Sequence, residues 1–184
     1  MDGINGITAL YSLSVLVTCY YLNMLICFSE TTLIEYAGMG LIIFSFFNLR
    51  KTAKCFAGDV GSVGMAFILA YLVSSLILTS ANWQYILVVS IYGVDSVVTI
   101  IERLIRRENI FNAHRSHLYQ YLANEVNWSH ISISLIYSFL QILFNILLIV
   151  FIIPSKNNLL AITYIGTQVV LYLFVKRKIM RVKI

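Results

Sequence analysis

The sequence contains little charge. Asp, Glu, Lys and Arg make up 11% of its 184 residues, while 60% are hydrophobic. A soluble domain would carry about 25% charged residues. The composition therefore excludes an ordinary soluble domain and indicates an integral membrane protein. We expect the membrane itself as a partner and no nucleic acid.

Cysteine is also scarce. The chain has three cysteines, Cys19, Cys27 and Cys55. The odd number argues against a disulfide framework, and the lack of metal-ligand spacing argues against a zinc site. A basic segment ahead of the first apolar run is missing too, so we expect no signal peptide and a retained first helix. We find neither an internal repeat nor a low-complexity tract.

Long apolar runs dominate what is present. A transmembrane helix needs about 20 predominantly apolar residues, and the runs lack the alternation of a membrane barrel. The sequence thus predicts an all-α, polytopic membrane helix bundle of about six spans. The predicted spans are 7–28, 31–47, 63–79, 84–101, 131–153 and 159–175.

Basic residues divide unevenly between the loops on the two sides of these spans. Twelve fall on the side that holds both termini, and Lys156 alone falls on the other. Because positive residues stay cytoplasmic, we predict cytoplasmic termini and a multi-pass protein of the bacterial inner membrane. We interpret the net charge of +5 as a topology signal, and the basic residues of 176–183 as an anchor near anionic lipid.

Three polar clusters fall on that predicted cytoplasmic side. They are the opening 2–7, the glycine turn 58–62 and the segment 114–117. Each adjoins an apolar run or lies between two. Polar chemistry gathered at the ends of membrane helices is typical of an enzyme that works at the membrane face, so we predict an active site facing the cytoplasm.

Asp59 lies between Gly58 and Gly61, next to the third predicted span. Its carboxylate could cap that helix, or it could hold a divalent cation, since Mg²⁺ is typically bound by one or two carboxylates plus substrate oxygens. Glycines allow close approach of a ligand. Alternatively, Gly58, Gly61 and Gly64 form a seam for close helix packing.

Asp2 and Asn5 flank the glycines of the opening turn. They could bind ribose, base or metal, or they could cap the first helix. In the third cluster, His114, Arg115 and His117 offer donors to phosphate oxygens. A solvated basic loop is the alternative there.

Phe56 could stack on a nucleobase or anchor the chain at the interface. We interpret His130 as interfacial and incidental.

Asp95 lies midway along the fourth span, with Thr99 and Glu102 on the same helix face. An intramembrane carboxylate is costly, so Asp95 is either functional or a structural hydrogen-bonding group.

Together these segments resemble the polyprenyl-phosphate N-acetylhexosamine-1-phosphate transferases, of glycosyltransferase family 4 type. The resemblance covers nearly the whole chain and is carried by the segments MDGINGI (1–7), FAGDVGS (56–62), VDS (94–96), IRR (105–107) and FNAHRSHLYQ (111–120). Many members carry further histidines where this chain has Tyr119 and Gln120, which favours the branch that initiates surface polysaccharides over the peptidoglycan branch.

The resemblance implies transfer of a sugar 1-phosphate from a UDP-sugar to polyprenyl phosphate, with release of UMP. It implies that Asp59 binds Mg²⁺, with Mn²⁺ as an alternative ion, and that Phe56 packs by the uracil. Asp2 and Asn5 would belong to the nucleotide and metal region. It further implies that Arg115 and His117 hold phosphate oxygens, with His114 beside them. We count Asp2, Asp59 and His117 as the catalytic candidates.

The first motif lies near the middle of the family's proteins. We therefore expect residues 1–184 to form a single membrane domain that corresponds to the C-terminal half of a longer transferase. A non-enzymatic membrane module or assembly partner is the alternative, and a small transporter that uses Asp95 is a weaker one. Whether the protein forms a homodimer stays open.

Overall fold

The computed structural model describes residues 3–50, 52–110, 112 and 116–181. The described chain is helical and contains no strand. Its α-helices are α1 (Ile7–Ile26), α2 (Thr31–Asn48), α3 (Gly58–Ser80), α4 (Ser90–Ile105), α5 (Leu118–Asn124), α6 (His130–Leu147), α7 (Ile153–Ser155) and α8 (Asn158–Arg181). A 3₁₀ segment, Trp83–Val89, leads into α4, and a π-helical segment, Leu148–Ile152, joins α6 to α7.

Six helical stretches are long and apolar enough to cross a membrane, which confirms the predicted number. They are Ile7–Ile26, Thr31–Asn48, Gly58–Ser80, Trp83–Ile105, His130–Ser155 and Asn158–Met180. The third begins five residues earlier than predicted. Asp59 therefore lies in the first turn of α3 and not on a turn ahead of it.

Helix α1 forms the centre of the bundle and is the most buried of the six spans. It packs against α6, α2 and α3, and Ile7, Tyr11 and Val15 on it are almost completely inaccessible. The outward faces of the surrounding helices stay apolar, as Phe46 on α2 and Phe67 on α3 illustrate. Apolar side chains on an outer face are stable where lipid surrounds the bundle.

The fourth span is broken between Val89 and Ser90, where the 3₁₀ segment changes into α4. Gln141, fully buried on α6, binds the backbone there: its Nε2 donates to the Val88 carbonyl at 2.8 Å, and its Oε1 accepts from the Ile91 N–H at 3.0 Å. Backbone polar groups at membrane depth must be satisfied inside the protein. Gln141 supplies the partners that the break removes.

Candidate functional site

The turn before α1 is tied to the end of α2 by a buried side chain. Gly6 has φ +87°, a conformation that favours glycine. Its N–H donates to Asn48 Oδ1 at 2.6 Å, and Asn48 Nδ2 donates to the Cys55 carbonyl at 2.7 Å. Asn48 thereby holds the first polar cluster beside the loop that leads to the second.

Asn5 is held by α6 through its backbone. Its N–H donates to His130 Nδ1 at 3.3 Å, and its carbonyl accepts from Ser134 Oγ at 3.0 Å. The N-cap position of α1 is Gly6, and no side chain caps it by a hydrogen bond, so Asn5 does not act as the cap. The interpretation of His130 as incidental is wrong, because this imidazole anchors the turn. Asp2 lies outside the described residues.

The same turn packs against α5. A Cβ placed on Gly3 would overlap the amide of Gln120 and would approach Tyr119 Cε2 to 3.0 Å. A side chain at this position would require the Gln120 amide and the Tyr119 ring to shift. Since α5 begins directly after His117, the turn brings the first polar cluster next to the third.

Asp59 is exposed in the first turn of α3, after Gly58 with φ +60°. No side chain caps this helix by a hydrogen bond, so the cap interpretation of Asp59 is not borne out. Phe56 is 67% exposed. It lines an open cleft of about 430 Å³ together with Gly61 and Gly64.

The glycines of α3 do not form a packing seam. A Cβ on Gly58 or Gly64 would meet nothing within 4 Å, and one on Gly61 would approach only Ala57 of the same segment. Among the residues that the structure describes, the alternative of close helix packing is therefore wrong. The small residues instead leave open space beside Phe56.

The described residues contain no group of three or more His, Cys, Asp or Glu side chains that could enclose a metal ion. They do offer the exposed carboxylate of Asp59 at the end of a membrane helix. Mg²⁺ keeps several waters and is often held by one or two carboxylates plus substrate phosphates. The donor set fits a cation shared with a phosphorylated substrate and does not fit a closed protein cage.

Asp95 is fully buried at the centre of a hydrogen-bond cluster that joins four helices. Its Oδ1 accepts from the Tyr172 hydroxyl at 2.6 Å, from the Leu118 N–H at 3.2 Å and from Thr99 Oγ1 at 3.4 Å. Its Oδ2 accepts from the Tyr137 hydroxyl at 3.3 Å. The expected neighbour Thr99 is confirmed, and the other donors come from α5, α6 and α8.

His117 lies between this carboxylate and two aromatic rings. Its Nδ1 is 3.4 Å from Asp95 Oδ1, and its side chain is 14% exposed. The imidazole stacks on Tyr119, with ring centres 5.4 Å apart, and on Tyr92, with ring centres 6.2 Å apart. The ring is thus positioned on several sides. His114 and Arg115 lie outside the described residues.

Two basic residues near the membrane face hold the chain around the third cluster. Lys176 Nζ lies 2.7 Å from Glu102 Oε2 and donates to the Ser116 carbonyl at 3.3 Å. Arg103 pairs with Glu108 at 3.1 Å and donates to the carbonyls of residues 109, 110 and 112. Interpreting these two charges only as topology signals is therefore incomplete, because both are buried and bonded within the protein.

Sequence reasoning missed Asn48, Tyr172 and Lys176. The sequence did carry a usable signal for two of them. Asn48 is a polar residue at the end of an apolar run, and Lys176 is the first charged residue after the last apolar run. Tyr172 carried no such signal, since its ring is apolar and its hydroxyl matters only once Asp95 is known to lie beside it.

Comparison with family models matches residues 1–77 to the model described as glycosyl transferase family 4. This segment contains the N-terminal turn, Asn48, Phe56 and Asp59. Comparisons with curated proteins and with solved structures gave no match. The match over residues 1–77 confirms the resemblance seen in the sequence for that segment, and it relates the segment to a family of membrane glycosyl-1-phosphate transferases.

Proposed function

We propose that this protein transfers a sugar 1-phosphate from a UDP-N-acetylhexosamine to polyprenyl phosphate, specifically undecaprenyl phosphate, and thereby initiates a cell-surface polysaccharide. The observation that carries the proposal is the convergence of the polar clusters at one end of a six-span bundle. Asn48 joins the N-terminal turn to the loop before α3, and Gly3 lies against α5. A nucleotide sugar from the aqueous side and a lipid phosphate from the membrane could both reach such an end.

The proposed reaction exchanges one phosphoanhydride bond for another. An oxygen of the lipid phosphate attacks the phosphorus that bears the sugar, and the bond from that phosphorus to the UMP oxygen breaks. Polyprenyl-diphosphate sugar forms and UMP leaves. Both reactants are anionic, so positioning and charge neutralisation supply most of the catalysis.

The residues take complementary roles in this proposal. Asp59 would hold Mg²⁺, or Mn²⁺ in its place, and the bound ion would neutralise charge on the diphosphate. Phe56 would stack on the uracil, which its exposed ring and the open glycine surface beside it support. Asn5 would contribute to the nucleotide region, and His117 would donate to phosphate oxygens.

Three further assignments rest on the sequence and the family resemblance, because these residues lie outside the described structure. Asp2 would belong to the nucleotide and metal region, and His114 and Arg115 would bind phosphate with His117. We also propose the cytoplasmic side of the bacterial inner membrane as the location, because twelve of the thirteen basic residues fall on loops of one side.

The test measures Mg²⁺-dependent release of UMP in membranes that contain the chain, with and without the N-terminal half of a family member. Asp59→Asn should lower UMP release by roughly a hundredfold or more, since it removes the proposed metal ligand. Glu30→Gln is the matched control, because Glu30 is an exposed acid just ahead of α2. Near-normal release by Asp59→Asn would disprove the metal role.

A second candidate function is a non-enzymatic module or assembly partner. Activity that appears only when the N-terminal half is added would identify one part of a divided enzyme. No activity in either condition would favour the non-enzymatic alternative. The transporter hypothesis is weakened, because the oxygens of Asp95 are already occupied by donors from the protein.

A further inference from the structure

We infer that Tyr172 and Lys176 on α8 are positioning residues for His117, Tyr172 through Asp95 and Lys176 through the backbone at Ser116. The inference rests on the proposed function for its catalytic meaning, but its geometry is independent of that function. Neither residue belongs to a segment that carried the family resemblance, and neither lies within the matched residues 1–77.

The first contact acts on the imidazole through Asp95. Oδ1 of Asp95 lies 3.4 Å from His117 Nδ1, and the same oxygen receives the Tyr172 hydroxyl at 2.6 Å. The Tyr172 contact is the shortest that this carboxylate makes within the described chain. A carboxylate beside one imidazole nitrogen sets the tautomer and orientation of the ring. Tyr172 therefore holds in place the carboxylate oxygen that lies beside His117 Nδ1.

The second contact acts on the backbone one residue earlier. Lys176 donates to the Ser116 carbonyl at 3.3 Å, while Glu102 at the end of α4 fixes its ammonium at 2.7 Å. The Leu118 N–H is bound by Asp95 on the other side of His117. His117 is thus clamped on both flanks, and α8 contributes to each clamp.

Lipid-facing packing does not explain these two side chains. Helix α8 is the least buried of the six spans, yet Lys176 on it is only 3% exposed. A buried ammonium is stable only with partners. Its partners are Glu102 and the backbone of the His117 segment, so α8 places its buried charge where it orders that segment.

The experiment uses the full chain in lipid nanodiscs with ¹⁵N-labelled histidine. The variants are Tyr172→Phe and Lys176→Met, and His117→Asn assigns the His117 signals. Tyr164→Phe is the control for Tyr172. Tyr164 is also on α8, and its hydroxyl donates to a different helix, to the Phe144 carbonyl at 2.7 Å. Lys178→Met is the control for Lys176, since Lys178 is exposed two residues further on.

We expect both positioning variants to shift the imidazole nitrogen signals of His117 and to speed its modification by diethylpyrocarbonate. Neither control should do so. Lys176→Arg should restore the wild-type signals, because it keeps the charge and a donor. Unchanged His117 signals in Tyr172→Phe and Lys176→Met would overturn the inference, whatever the transfer assay shows.

The kinetic arm separates this inference from the proposed function. In an active preparation, Tyr172→Phe should lower kcat roughly tenfold to a hundredfold, by analogy with the hydrogen-bond partners that orient metal-ligating histidines. KM for the UDP-sugar should stay near its wild-type value. Shifted signals with unchanged kcat would overturn a role in the reaction. The two variants could also shift the His117 signals while the wild-type chain never releases UMP, with or without the added N-terminal half. That result would support the positioning and refute the proposed function.

Discussion

The break in the fourth span allows the stability of the bundle to be tested one side chain at a time. Gln141 makes four hydrogen bonds: with the Tyr11 hydroxyl at 2.9 Å, the Ile91 N–H at 3.0 Å, the Val88 carbonyl at 2.8 Å and Asn145 Oδ1 at 2.8 Å. Replacing it with Leu keeps the volume similar but removes all four. At about 0.6 kcal/mol for an average hydrogen bond inside a membrane protein, the loss should be about 2–3 kcal/mol.

Two variants on the same helix complete a graded series. Asn145→Leu removes two hydrogen bonds, those with Gln141 and with Thr18, and should cost about 1 kcal/mol. Ser138→Ala removes one, to the Leu10 carbonyl at 2.9 Å, and should cost about 0.6 kcal/mol. Reversible unfolding by SDS in mixed micelles, followed by circular dichroism, measures all three. A Gln141→Leu variant no less stable than Ser138→Ala would refute the role of Gln141 at the break.

Two further predictions concern the ends of the helices. Gly6→Ala should destabilise the chain by about 1–3 kcal/mol, because φ is +87° and the new Cβ would approach Leu49 Cδ2 to 2.6 Å. Gly38→Ala is the control, because a Cβ there meets nothing within 4 Å. In the same SDS titration it should stabilise the chain by about 0.5–1 kcal/mol. Equal effects would argue against strain at residue 6. Arg103→Met should speed cleavage of the 106–112 segment by proteinase K, since three carbonyls lose their donor. Arg106→Met should not speed this cleavage, because the Arg106 side chain is 57% exposed. Identical cleavage rates in the two variants would contradict the role of Arg103 in holding the segment.

The sequence was sufficient to predict the number of spans, and the reason is physical. Lipid offers no hydrogen-bond partners, so an apolar run of sufficient length must become a helix. The alternation of loops between the two sides then predicted that the clusters would share one end. Contacts of neighbouring residues agree with this, since Asn48 joins Gly6 to Cys55 and Gly3 lies against Tyr119 and Gln120. Helix starts were harder to predict. Gly58 begins α3 with φ +60° although glycine usually lies outside a helix.

What the sequence could not predict depends on partners that are distant along the chain. The break at Val89 has neither Gly nor Pro at the junction, and its stabilising side chain, Gln141, lies 50 residues after its partner Ile91. Helical periodicity predicted that Thr99 lies near Asp95. It did not predict the contact with Tyr172, which is 77 residues away. Periodicity describes one helix at a time, so it cannot assign a donor from another.

The last span has a consequence for how the protein is made. A ribosome releases α1 through α6 before α8, yet the carboxylate of Asp95 receives its shortest hydrogen bond from α8, and the backbone at Ser116 is held by the same helix. Until α8 inserts, the carboxylate of Asp95 lacks the Tyr172 hydroxyl, its shortest hydrogen bond, and the segment before α5 lacks the Lys176 donor. The order of synthesis thus makes the arrangement around His117 one of the last features to form, so a chain with the earlier spans in place would still hold that histidine loosely.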